Sequence, residues 1–318
     1  MTFISILCAL VIEQFRPLRV ENTVNVALTA FAEQVEGWFN DGQKENGRLA
    51  WLVMMLCLLV PTIIVTWLVA KLGPLAELLW SVLVLYLTLG FRHYSHYFTS
   101  IQLALNAGDH DTARVLLAEW TKQDTVAMEV SEISRIAVEQ ALVTSHRHVF
   151  GVFFWFAIPV LGPIGAVLYR TAEYLARSWN GASHPESDNF GRFATQAYYW
   201  IDWLPARLTA TAFAIVGNFE DAIYGWRHFA HRWQNETTGI ILSSGGGAMG
   251  VRLGTPVEHA SMPAATDETA IEPAAEPETP PGEEANVRSL QSTVGLVWRA
   301  LLLWMLLLLL LSAAIWLG

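Results

Sequence analysis

LAWLVMMLCLLVPTIIVTWLVA, residues 49–70, carries no charged side chain across 22 positions and is bracketed by Arg48 and Lys71. At 1.5 Å of rise per residue, a helix of that length reaches across the hydrocarbon of a bilayer. The composition agrees. Of 318 residues, 53% are hydrophobic and 15% charged, whereas a soluble domain carries about one quarter charged residues. Two further uncharged runs lie between His148 and Arg170 and from Ala300 to the C-terminus. A shorter run, Leu78–Phe91, follows Gly73-Pro74 closely and reads as the returning arm of a helical hairpin, with Glu77 near the turn. Two runs are ambiguous. Residues 1–12 are apolar, but no basic region or small-residue cleavage site marks them as a removed signal peptide. LTATAFAIVGNF, residues 208–219, is too short to span alone and reads as a span with a polar entrance or as an interfacial helix.

The net charge of −10 is local. Residues 254–286 hold eight acids, six prolines and no Lys or Arg. Such a stretch cannot bury enough apolar area to order itself, so it reads as a disordered tether before the last span. No basic stripe with interleaved aromatics supports nucleic-acid binding. Cys8 and Cys57 both lie in apolar runs, act as small hydrophobes and form no zinc-type pair. Lys44, Arg48 and Arg92 place residues 92–148 in the cytoplasm by the positive-inside bias, although Arg170, Arg177 and Arg192 fall on the wrong side if 149–169 crosses fully. Residues 92–148 read as helical throughout, with Asp111 as an N-cap and a last helix leading directly into residue 149. No P-loop, dinucleotide fingerprint or nucleophile elbow is present.

The expected fold is therefore an all-α integral membrane protein, a polytopic helical bundle with a cytoplasmic helical insertion and a C-terminal single-span anchor. Its parts are 1–91 (apolar helix and transmembrane hairpin), 92–148 (amphipathic insertion), 149–253 (transmembrane or interfacial core), 254–294 (acidic linker) and 295–318 (anchor).

Three motifs could carry chemistry. In SHRHVFGVFFWF, residues 145–156, His146 and His148 diverge by about 200° on a helix and cannot share a metal; the helical metal pair is i, i+4. His93 and His96 in RHYSH are i, i+3 on one face. Both pairs sit at ends of apolar runs, where amphipathic rings anchor at headgroup level. No acid lies near enough in sequence to complete a metal shell, so a polar membrane rim is the leading reading and no metal site is expected. In DWLPARL, residues 202–208, proline fits a helix's first turn, which makes Asp202 a cap with Arg207 one turn on; a buried Asp–Arg pair holding a ligand is the other reading. SSGGGAMGVRLG, residues 243–254, is a glycine-dense loop, either a flexible turn or a backbone cradle for a phosphate beside Arg252.

DWLPARL, the aromatic run HVFGVFFWFAIPVLGPIGAVLYR and GAMGVRLG occur in this order in the CobD/CbiB proteins, which the chain resembles from about residue 90 to 255. The resemblance implies a membrane cobinamide-phosphate synthase, joining aminopropanol (phosphate) to cobyric acid in cobalamin biosynthesis with Mg-ATP. Gln123-Asp124-Thr125 and Val138-Glu139 are similar to further family motifs, which makes Glu139 and Asp124 the candidate catalytic residues. Asp202, Arg207, His93, His96, His146 and Arg252 are the candidate ligand-binding residues.

Several family acids are replaced. Val143 and Arg147 in VTSHRH stand at acidic positions, Glu173–Ser178 replaces an Asn-Thr-Leu-Asp-Ser-Met run, and Tyr198-Tyr199 replaces paired aspartates. An ATP-dependent amide synthesis relies on carboxylates with Mg²⁺. These losses, with RHYSHYF and DWLPARLTATAFAIVGNFEDAIYGW, make the chain similar to the AmpE-like inner-membrane branch. The leading expectation is thus a non-catalytic signalling or regulatory protein of the bacterial inner membrane, multi-pass, with no cofactor and with the bilayer and an envelope protein as partners. The alternative is the synthase, with Mg-ATP and a corrinoid substrate. A transporter has little support, since the apolar runs hold few internal charges or breaks.

Overall fold

The computed structural model describes residues 2–16, 23–180, 189–254 and 280–317. Within them the chain is helical, with no β-strand beyond one isolated bridge. The elements are α1 (Thr2–Phe15), α2 (Thr23–Phe39), α3 (Lys44–Ala70), α4 (Pro74–Thr88), α5 (Phe91–Asn106), α6 (His110–Thr121), α7 (Val130–Ser145), α8 (Gly151–Ala157), α9 (Pro163–Ser178), α10 (Arg192–Val216), α11 (Phe219–Phe229), α12 (Glu236–Met249) and α13 (Val287–Leu317). Among the described residues, α3 and the stretch of α13 to Ala314 are the two helices long and apolar enough to cross a membrane. Each leaves part of its leucine surface uncovered; Leu56 and Leu302 are 60% and 64% exposed, while Leu296 and Leu308 of α13 are buried. α1 and α4 are shorter, apolar and packed on each other.

The core gathers α7 to α10, α12 and part of α13. Phe150 lies at its centre, edge-on to Phe213 of α10 and stacked on Trp304 of α13, with ring centres 5.9 Å and 6.1 Å away. α6 starts on Asp109, whose carboxylate accepts from the Thr112 amide. Asp111, expected as the cap, instead sits in the first turn and pairs with Arg114.

Three sequence readings change here. First, the uncharged run 149–169 does not form one helix. α7 continues through a single π-helical turn, His146–Phe150, into the seven-residue α8; the chain then reverses, and α9 packs back against α8. Arg170 and Arg177, anomalous for a crossing segment, are on α9 as the partners of buried Glu173, at 2.9 Å and 3.3 Å. Charge pairing, rather than membrane side, places them.

Second, Pro205 lies inside α10 and not in its first turn, so Asp202 is mid-helix and no cap. Proline costs a helix the bond to the carbonyl four residues back. Here that carbonyl belongs to Ile201, and the indole Nε1 of Trp155 on α8 donates to it at 3.2 Å. Trp155→Phe keeps the ring bulk and strands that carbonyl. It should lower stability by about 1 kcal/mol in an unfolding titration of the solubilised protein; an unchanged midpoint would deny the bond its compensating role.

Third, the glycine-dense stretch is not a loop up to Met249 but the C-terminal half of α12. A Cβ on Gly247 would sit 2.3 Å from the Asp221 carbonyl oxygen of α11. The glycines therefore let two helices touch, and helical hydrogen bonding occupies the amides that a phosphate cradle would need. Beyond α12, Val251 and Glu283 form a parallel bridge. The Arg252 amide donates to the Glu283 carbonyl at 2.8 Å, and the Glu283 amide donates to Gly250 at 2.9 Å.

Candidate functional site

α10 presents Tyr198, Asp202 and Thr209 at helical spacing among alanines and phenylalanine, so all three face the core. Asp202 is 2% exposed and His146 1%. His146 Nε2 lies 2.7 Å from Asp202 Oδ1, while its Nδ1 meets the Thr209 hydroxyl at 2.9 Å. The Tyr169 hydroxyl, from α9, donates to the same Asp202 oxygen at 2.9 Å and lies 3.2 Å from the Tyr198 hydroxyl. Tyr169 reaches this point by crossing Gly151, where any Cβ would overlap its ring at 2.2 Å. Every polar atom named has a partner, as burial demands. Burial pushes the Asp202 carboxyl up, but His146, Tyr169 and Arg147 outweigh it and hold the carboxyl below its ordinary range. Burial also raises the Tyr169 phenol, reinforced by the Asp202 charge, so it stays a neutral donor.

The expected rim role of His146 and His148 is thus corrected: both side chains are buried. The π-helical turn explains it, since the Gly151 amide bonds to the His146 carbonyl five residues back. The turn shifts the helical register between α7 and α8, a device common at functional sites. It holds His146 against α10 while Arg147, next in sequence, lines a cavity of about 450 Å³.

That cavity lies between α7, the loop after α6, and α12. Glu139 and Arg135 line it and are paired at 3.0 Å; Glu132 adds a second contact to Arg135 at 3.6 Å. Glu139 also accepts from the Gly254 amide at 2.8 Å. Gln123 and Gln140 add neutral polar groups to its wall.

The other candidates disperse. Asp124 is exposed and turns the loop by accepting from the Val126 amide at 3.1 Å, next to Gln123 of the cavity wall. Arg207 does not meet Asp202; it pairs with Glu236 at 2.8 Å and lies over the Trp203 ring. Arg252 is exposed and donates to the Gly282 carbonyl at 3.3 Å. His96 is exposed on α5 and lines a separate cavity of about 400 Å³ with Trp298 of α13. The side chain of His93 lies outside the described residues, as do residues 255–279 of the acidic linker. Among the described residues no group of three or more His, Cys, Asp or Glu is placed to hold a metal ion.

Sequence reasoning did not select Tyr169, Tyr198, Thr209, Glu173 or Arg147 as site residues. A signal existed for the first four. Tyr198, Asp202 and Thr209 recur at 4 and 7 positions on one helical face, as do Tyr169 and Glu173 at 4.

The profile of CobD/Cbib proteins matches residues 16–281. The chain belongs to the CobD/CbiB family. One relative, the cobalamin biosynthesis protein CobD of Stutzerimonas stutzeri, is 30% identical over 96% of this chain and 97% of its own length. Others with the same description are 33% identical in Chromobacterium violaceum, over 65% of each chain, and 25% identical in Pelobacter propionicus, over 68% of this chain and 69% of the relative. No solved structure matches the chain.

These family relatives overturn the expectation of a non-catalytic AmpE-like regulator. They are named for cobalamin biosynthesis, and one aligns along nearly the whole chain. The physical reason for the misreading is also visible. Acids were judged missing motif by motif, yet the fold sets Glu173 and Asp202 together in the buried core and Glu139 in the cavity.

Proposed function

We propose that this protein is a cobinamide-phosphate synthase, joining aminopropanol or its phosphate to a cobyric acid side chain through an amide bond. The observation that carries the reading is the alignment of 96% of the chain with a relative named cobalamin biosynthesis protein CobD. Our reading puts the reaction in the α7–α12 cavity, whose wall carries a carboxylate (Glu139), a cation without an ion-pair partner among the described residues (Arg147) and neutral polar groups.

The donor set fits a magnesium that arrives with a nucleotide better than an all-protein metal cage. Mg²⁺ is commonly held by one or two carboxylates plus substrate phosphates, and Glu132, the more loosely paired and more exposed of the two cavity carboxylates, is the one that would hold it here. Bound Mg-ATP would supply activation of the carboxyl group that becomes the amide. Glu139, fixed by Arg135 and the Gly254 amide, would take the proton that the incoming ammonium must lose before its nitrogen attacks the activated carboxyl carbon.

The uncovered apolar faces of α3 and α13, with α1 and α4 beside them, support a multi-pass protein of the bacterial inner membrane. Its partners are then the bilayer and a corrinoid substrate.

The test is complementation of a strain lacking cobinamide-phosphate synthase, grown where cobalamin must be made from cobyric acid. A native synthase serves as control, and an epitope tag confirms membrane delivery. Growth is expected. Glu139→Gln, delivered at the same level, should abolish it, with at least about a 100-fold loss of product formation in membranes, as general acid–base or charge-positioning groups give. Absence of growth with the tagged wild-type protein in the membrane would sink the synthase reading. Full growth with Glu139→Gln would move the chemistry out of this cavity.

A further inference from the structure

Two acids of the core are matched by direct partners. Asp202 has His146 and Tyr169; Glu173 has Arg170 and Arg177. In the cavity, Glu139 and Glu132 share Arg135. Arg147 is left over. Among the described residues no carboxylate lies within ion-pair distance of it, and no acceptor hydrogen-bonds its guanidinium. Glu173 and Asp202 act on it only through their field. A guanidinium offers five donors in a planar fork, and Arg147 is half-buried, so donors that the protein leaves unmatched fall to whatever fills the cavity. Its open side is the cavity, where Gln140, Thr238 and Trp233 also line the wall.

We infer that Arg147 forms a phosphate-binding subsite of this cavity at the C-terminal end of α7, held in place by the π-helical turn and the His146–Asp202 anchor. The planar fork matches phosphate oxygens in pairs. Gln140 and Thr238 can add neutral donors, and Arg135, cancelled by two glutamates, adds little field. The synthase reading enters only in naming the ligand: the phosphate belongs either to the nucleotide or to the phosphate ester of the amino alcohol.

The full-length protein, purified in detergent, would be titrated with inorganic pyrophosphate by calorimetry. Saturable binding is expected for the wild type. Arg147→Gln should weaken it by about 10–100-fold, as the loss of hydrogen bonds to a charged group implies. Arg147→Lys keeps the charge that faces Glu173 and Asp202 but not the fork, and should weaken binding about tenfold with an unchanged melting temperature. It serves as the deciding variant should the glutamine form fail to fold. Undiminished pyrophosphate affinity in a folded Arg147→Gln protein, or in Arg147→Lys where glutamine does not fold, overturns the subsite. So does a wild type that binds no pyrophosphate.

In the synthesis assay with Arg147→Lys, a raised KM confined to ATP assigns the phosphate to the nucleotide, and one confined to the aminopropanol ester assigns it there. A KM raised for neither overturns the subsite. Pyrophosphate binding by a wild type that makes no product would retain the subsite while removing the synthase reading, so the two fail separately.

Discussion

Asp202→Ala should cost about 3–5 kcal/mol of stability, because it breaks a buried, hydrogen-bonded pair and leaves the remaining members without their acceptor. His146 Nε2 and the Tyr169 hydroxyl both converge on one oxygen of Asp202, and neither can turn to water from a core in which Tyr169 is fully buried. Asp202→Asn keeps an acceptor and should lose less. The measurement is unfolding of the solubilised protein by denaturant or heat. A loss under about 0.5 kcal/mol for Asp202→Ala, the range of an ordinary surface change, would contradict the network.

The sign of the pH dependence follows from the same group. The folded carboxyl is held below its ordinary range, with burial, the largest influence, opposed by His146, Tyr169 and Arg147. Its contribution is then complete above the unfolded value near 4, and it is lost as pH falls through the lower folded value. Wild type and Asp202→Asn should converge in stability on that acidic side and diverge at neutral pH.

The second large effect is steric. Gly247→Ala places a Cβ 2.3 Å from the Asp221 carbonyl oxygen and 2.8 Å from the Ala222 Cα. Both obstacles are backbone, so no side chain can rotate away, and α11 must retreat from α12. Overpacking of this kind costs about 1–3 kcal/mol, and the upper end applies where rigid helices meet. Gly37→Ala, in α2, has nothing within 4 Å of the new methyl and should show the opposite sign, gaining about 0.5–1 kcal/mol from helix propensity. Equal signs at the two positions would mean that α11 and α12 do not touch as described.

Helix content and the apolar runs that became α3 and α13 were legible because length and hydropathy are local properties of the chain. The site was less so. Asp202 and His146 were each picked out, but 56 positions separate them, and nothing local to either motif says that they meet. Local rules also misled at the two proline and glycine signals. Pro205 reads as a helix start unless a distant indole satisfies the carbonyl it strands, as Trp155 does. Gly245–Gly247 reads as a loop unless another helix lies against it. Arg147 looked like a lost acid, and its neighbourhood became visible only once the π-helical turn set its direction.

The bridge between Val251 and Glu283 bears on how this chain can change over generations. Gly250–Arg252 and Gly282–Glu283 are hydrogen-bonded side by side, so two points about thirty positions apart in sequence are tied together just ahead of α13. Closing a stretch of chain between two fixed points depends only weakly on its length, each doubling costing about 0.6 kcal/mol. Insertions, deletions and drift toward acid and proline can accumulate between those anchors while α13 keeps its place against α7 and α10. Gly254 lies between the anchors and its amide holds Glu139, so that freedom begins only beyond the residue that touches the cavity.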